Sequence, residues 1–105
     1  MELLRGTLDL MILRTLLHGP EHGHAIARHI QRTTDDLLQV ETGSLYPALY
    51  RLERRGLLEA EWALSELGRR AKFYRLTRQG RAQLVAQTAA WRQFSAGVSK
   101  ILLAQ

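Results

Sequence analysis

The 105-residue sequence predicts a mainly α-helical fold with one small β-hairpin and a long C-terminal helix. Three observations carry that prediction. Before residue 56, three short stretches of helical periodicity are separated by Gly19-Pro20 and by the polar run Thr33-Thr34-Asp35-Asp36. The period then drops from 3.6 to 2 across residues 58–76. Beyond Thr77, residues 78–103 contain no proline.

The first predicted helix covers residues 7–18, with Thr7 as a cap and Leu8, Ile12, Leu13 and Leu16 on one face. A second, about 23–32, turns Ile26, Ala27 and Ile30 toward the core. The third covers about 42–55, with core stripe Leu45, Ala48, Leu49 and Leu52, and Gly56 ends it. Thr42 and Ser44 are its candidate caps, and Pro47 is expected in its first turn, where a missing N–H costs little. Leu58, Ala60 and Trp62 then alternate with Glu59, Glu61 and Ala63. The run 71–76 alternates again after Ser65-Glu66-Leu67-Gly68, giving a hairpin with Arg69-Arg70 at its tip. Thr77 caps the final helix, which spans about 39 Å if it reaches residue 103. This order of three helices and a hairpin is that of a winged helix-turn-helix, in which the third helix enters the major groove and the hairpin, or wing, lies on the backbone. Residues 1–77 form that unit and residues 78–105 a dimerisation helix, together one compact body.

Composition narrows the chemistry. Hydrophobic residues make up 46% and charged residues 24%, an ordinary balance for a folded chain. The absence of cysteine excludes a disulfide scaffold, thiol catalysis and cysteine-based metal sites. The best N-terminal apolar run, Leu10 to Leu13, is too short for a secretory signal or a bilayer span, so a soluble, cytoplasmic protein is expected. Net charge is +5, unevenly placed: residues 43–81 hold nine cations against four acids, whereas residues 1–42 hold four against six. Thirteen of the fifteen cations are arginine, the side chain suited to forked contacts with phosphate and guanine. Such a basic excess points to a polyanion, with DNA, RNA and an anionic membrane all open, or to a merely solvated surface.

The third helix turns Pro47, Tyr50, Arg51 and Arg54 away from its core stripe, with Ser44 and Tyr46 at the edges. Arginine forks onto guanine, hydroxyls bond phosphates, and a ring packs on a thymine methyl or a sugar. An ordinary solvated face has similar residues; the basic Arg69-Arg70-x-Lys72 segment on the hairpin favours DNA. The candidate DNA contacts are therefore Thr42, Ser44, Tyr46, Pro47, Tyr50, Arg51, Arg54, Arg69, Arg70 and Lys72. On the last helix, Leu84, Thr88, Trp91, Ser95, Val98 and Leu102 step by 4, 3, 4, 3, 4, and Phe94 and Ile101 broaden the stripe. That seam outruns a small domain's core and predicts a homodimer. Trp91 either fills the dimer core or forms a wall for a planar aromatic effector.

Catalytic and metal patterns are wanting. His18, His22, His24 and His29 cluster in sequence, but Gly19-Pro20 interrupts the one helical pair, and they read as capping and packing residues, so no metal is expected. The sequence has no phosphate-binding glycine motif and no nucleophile elbow; neither a cofactor nor an enzymatic activity is expected. A winged-helix module docking an acidic protein is the alternative from another class, and a membrane-surface role ranks behind it because the arginines fall on a compact fold.

Gly43-Ser44-Leu45-Tyr46-Pro47-Ala48-Leu49-x-Arg51-Leu52-Glu53-x-x-Gly56-Leu57-Leu58, with Arg70-Ala71-Lys72-Phe73-Tyr74-Arg75-Leu76-Thr77-x-x-Gly80, resembles the PadR-type family of bacterial transcriptional regulators. Gly6-Thr7-Leu8 and His22-Gly23 are similar to that family's opening, and the length is similar to its short subgroup with one C-terminal helix. The resemblance implies a homodimeric repressor on a palindromic operator, with Ser44, Tyr46, Pro47 and the basic wing residues near DNA. A tryptophan placed like Trp91 resembles that of drug-sensing members. Two residues depart from the pattern: His24 stands where the family commonly has tyrosine, and Phe73 where tyrosine is frequent.

Overall fold

The computed structural model describes residues 6–105, so positions 1–5 of the predicted N-terminal unit lie outside the described residues. Helix α1 (Thr7–Thr15) runs into a 3-10 turn at Leu16–His18. A two-residue strand β1 (Glu21–His22) leads directly into α2 (Gly23–Thr33). Then follow α3 (Thr42–Arg54), the strands β2 (Leu58–Leu64) and β3 (Arg70–Leu76), and α4 (Arg78–Leu102). Every residue assigned to the core faces of the first and third helices is buried, together with Ile26, Ile30, Leu57, Leu58, Tyr74 and Leu84. Ala27 is partly buried against that core.

Among the described residues the sheet has three strands, in the order β1-β3-β2 and antiparallel throughout, where the sequence predicts two. Glu21 and His22 pair with Tyr74 and Phe73. Two residues carry no readable alternation, which is why β1 is invisible in the sequence. The β2–β3 register sets Leu58 opposite Leu76, Ala60 opposite Tyr74, Trp62 opposite Lys72 and Leu64 opposite Arg70. Successive residues of a strand face opposite sides, so these pairs share one face. At its base Leu58 and Tyr74 enter the core; farther out, Trp62 and Arg70 are exposed. The turn is closed by the Ser65 N–H on the Arg69 carbonyl (2.8 Å) and the Gly68 N–H on Ser65 (2.9 Å). Arg69-Arg70 therefore stands at the start of β3, just behind the tip.

Several local expectations need correction. Gly6, with φ of 90°, is the N-cap of α1, and Thr7 is already helical. Glu41, without a side-chain cap bond, precedes α3 in place of Thr42 or Ser44. Pro47 is the sixth residue of α3, past the first turn. Its ring crowds the carbonyl of Gly43 and gives it no N–H, a cost eased because Gly43 is exposed to water.

The start of α4 is tied to the domain at two points. The Thr77 hydroxyl oxygen accepts from the Gly80 N–H (3.0 Å) and donates to the Gly56 carbonyl (2.7 Å), so one side chain caps α4 and fastens it to the end of α3. A Cβ on Gly80 would fall 2.2 Å from the Leu57 carbonyl oxygen, so only glycine permits that approach.

Candidate nucleic-acid interface

Helix α3 owes its position to its apolar stripe, which fixes its outward face. Thr42, Ser44, Tyr46, Pro47, Tyr50, Arg51 and Arg54 are all exposed, as their spacing predicts. The two edges of that face behave differently. On one edge, the Arg51 guanidinium bonds the Asp9 carboxylate of α1 at 2.8 Å, with Asp9 only 14% exposed. On the other, the Tyr46 ring lies against the first turn of α2, so close that a Cβ on Gly23 would stand 2.9 Å from it. Between them the Arg54 guanidinium sits over the Tyr50 ring, 5.5 Å from its centre.

The wing divides the same way. Lys72 is half-buried and bonds Glu53 of α3 at 3.1 Å. That hydrogen bond holds the Lys72 ammonium above the ordinary lysine range, against the opposing effect of burial. Its nitrogen also lies 5.5 Å from the centre of the Tyr74 ring. Burial pushes the Tyr74 phenol up, partly offset by that ammonium. Lys72 thus ties the wing to α3, whereas Arg69 and Arg70 stay exposed.

These elements enclose an open groove of about 630 Å³ between the wing and the start of α2. Of the predicted contacts, Tyr46, Arg69, Arg70 and Lys72 line it; the other six stand on the outward face of α3 beyond it. His24 and Arg28 of α2 and Trp62 of β2 line it too, and sequence reasoning placed none of the three at this surface. A signal existed: His24 and Arg28 are four apart on one helix face, and Trp62 shares the strand face of Lys72 and Arg70. His22 is the N-cap of α2, its Nδ1 accepting from the Ala25 N–H at 3.2 Å.

The predicted seam on α4 is divided by the fold. Leu84 is 5% exposed and belongs to the domain's own core, so it is withdrawn from the dimerisation set. Thr88, Ser95 and Val98 are half-buried. Trp91, Phe94, Ile101 and Leu102 are exposed, and the Trp91 and Phe94 rings lie 6.2 Å apart. Among the described residues no helix is long and apolar enough to cross a membrane.

Three helices around one core, followed by an antiparallel wing that returns into a long helix, define a winged helix-turn-helix protein. Known proteins agree. Residues 12–86 match the transcriptional regulator PadR-like family. A transcriptional regulator of Mycobacterium tuberculosis is 36% identical over 83 residues, covering 79% of this chain and 74% of that protein. A PadR family transcriptional regulator from Eggerthella lenta superposes with a TM-score of 0.79 at 34% identity, covering 96% of this chain and 86% of that one. A transcriptional regulator from Clostridium thermocellum gives a TM-score of 0.84 at 29% identity, covering 91% and 93%. The chain belongs to the PadR-like family of transcriptional regulators.

Proposed function

We propose that the chain is a homodimeric repressor that occupies an inverted-repeat operator on double-stranded DNA. The observation that carries the reading is the meeting of α3 and the wing at one basic, aromatic surface: Tyr46, Arg69 and Arg70 line a single groove, and Tyr50 and Arg54 continue the surface along α3. Helix α3 lies in the major groove, with Arg54 and Ser44 at base edges or phosphates, and the wing arginines lie on the backbone. Thr42, Pro47 and Arg51 flank that contact; Arg51 first exchanges Asp9 for phosphate.

The second copy covers α4. Trp91, Phe94, Ile101 and Leu102 are large apolar side chains in water, and a symmetric partner offers the same stripe in return. Two recognition helices about 34 Å apart then match one turn of DNA. Repression follows from steric occupancy of a promoter. The Trp91–Phe94 pair is where a planar aromatic effector enters, and it releases operator only by preferring one spacing of the two winged units.

Selection of bound sequences from random duplex DNA tests the proposal. An enriched inverted repeat, with affinity that falls steeply with salt, is the expected result. Binding without any sequence preference overturns the operator reading, and capture of an acidic protein in place of DNA would favour an interaction module.

A further inference from the structure

The groove between the wing and α2 carries more than a general basic charge. Its cationic lining comes from two separate elements: Arg28 from α2, and Arg69, Arg70 and Lys72 from the wing. Among the described lining residues the acid is Glu66. Lys72 is already paired with Glu53, which leaves Arg28 of α2 and Arg69 and Arg70 of the wing as the exposed arginines of the lining. Trp62 lines the same groove, 59% exposed, with the Arg70 guanidinium 5.3 Å from the centre of its ring. The indole takes no part in the core, so packing does not account for it. Stacking holds the Arg70 fork in place before any partner arrives, which reduces the ordering cost of using it.

We propose that this groove seats the sugar–phosphate backbone of one DNA strand, with a deoxyribose against Trp62 and the flanking phosphates on Arg28, Arg69 and Arg70. The proposal rests on the DNA-binding reading above and adds to it two residues, Trp62 and Arg28. The chemistry fits: a nucleic-acid strand presents an apolar sugar face beside anionic phosphates, and the groove presents an aromatic face beside cations from two separate elements. An acidic peptide would satisfy the arginines but offers no flat apolar face at fixed spacing for the indole. The position also follows from the fold, because the strand that separates the major groove under α3 from the minor groove under the wing runs between those two elements.

The test uses the full chain with two labelled duplexes, one enriched by selection and one of scrambled sequence, titrated across a salt series. Trp62→Ala is expected to weaken both duplexes alike, on the order of tenfold, with the salt slope unchanged. Trp62→Phe restores most of that loss. Arg28→Ala weakens both alike and lowers the slope by about one. Both side chains are exposed, and an unchanged thermal transition confirms that each variant folds. If Trp62→Ala and Arg28→Ala bind like the wild type while Tyr50→Ala/Arg54→Ala loses the selected duplex, the groove assignment is overturned and the DNA-binding reading stands. If the wild type binds neither duplex, the DNA-binding reading itself fails. A change in preference between the duplexes makes the groove a base reader, and loss of binding to an acidic peptide alone makes it a protein site; either result overturns the backbone assignment.

Discussion

Helices α3 and α4 both leave large side chains in water, and the kinds of side chain differ. The outer face of α3 has Tyr46, Tyr50, Arg51 and Arg54: rings with hydroxyls, and guanidinium groups already resting on a carboxylate or a ring. The outer half of α4 has Trp91, Phe94, Ile101 and Leu102, with Ile101 80% exposed. The first surface suits a charged, hydrated partner, because its groups exchange one polar contact for another. The second suits an apolar partner of matching shape, because each of its side chains gains by leaving water. On the proposed reading the two helices divide the work: one face for a polyanion, one for a second copy. What joins them is the Thr77–Gly80 junction, which welds α4 to the end of α3 through the Gly56 and Leu57 carbonyls.

Breaking that junction should have the largest effect. In Gly80→Ala the new methyl meets a backbone oxygen, so the helix must move off the domain and Leu84 with it. The expected loss is about 3 kcal/mol, read from the urea midpoint. Shortening α4 separates its two roles. A chain ending at residue 90 keeps Leu84 and the cap, so it should fold, sediment as a monomer, and bind operator about a hundredfold more weakly. A chain ending at residue 77 loses a core side chain as well and should be poorly folded. If the chain ending at residue 90 remains a dimer, the contrast drawn between α3 and α4 is wrong.

Smaller effects sharpen the contrast. Thr77→Ala removes the cap of α4 and the bond to Gly56, at an expected cost of about 1–2 kcal/mol, and Thr77→Ser should recover most of it. On the polar side, Asp9→Asn frees Arg51 from its carboxylate. Its cost in thermal stability should stay below about 1 kcal/mol, while operator affinity rises slightly if Arg51 has to leave Asp9 to reach phosphate.

The Lys72–Glu53 pair should contribute least, and its pH dependence has a definite sign. The folded ammonium titrates above the ordinary value of 10.5, so the stability it supplies is complete below that pH and is lost as pH rises through the raised folded value. Wild type and Glu53→Gln should therefore differ by a constant small amount between about pH 7 and pH 9 and converge as the pH rises through the raised folded value. A difference that changes between pH 7 and pH 9 would point to another titrating group.

Legibility in the sequence followed the length of each pattern. The core faces of α1 and α3 could be read because four apolar residues at helical spacing leave one way to bury them together. The wing could be read because the period changed after Gly56. Pro47 was misplaced by a turn because helix starts depend on capping geometry, and Glu41 caps with backbone alone. The strand β1 was missed because two residues make no pattern, although its pairing with β3 carries the ring of His22 to within 5.4 Å of Phe73.

By itself, then, the sequence determined the order of the longer elements, the core stripes, the basic middle of the chain and an apolar stripe on the last helix, all of which are properties of spacing along the chain. The tertiary structure alone decided which of those residues act together. Leu84 belongs to the seam by its spacing and to the core by its burial, because α4 docks on the domain before it runs free. Arg51 and Lys72 look like free cations in sequence and are engaged by Asp9 and Glu53, forty-two and nineteen positions away. Arg28 and Trp62, thirty-four positions apart in the chain, come to line one groove. Electrostatic and packing partners are chosen by distance in space, and periodicity encodes only which way a side chain points.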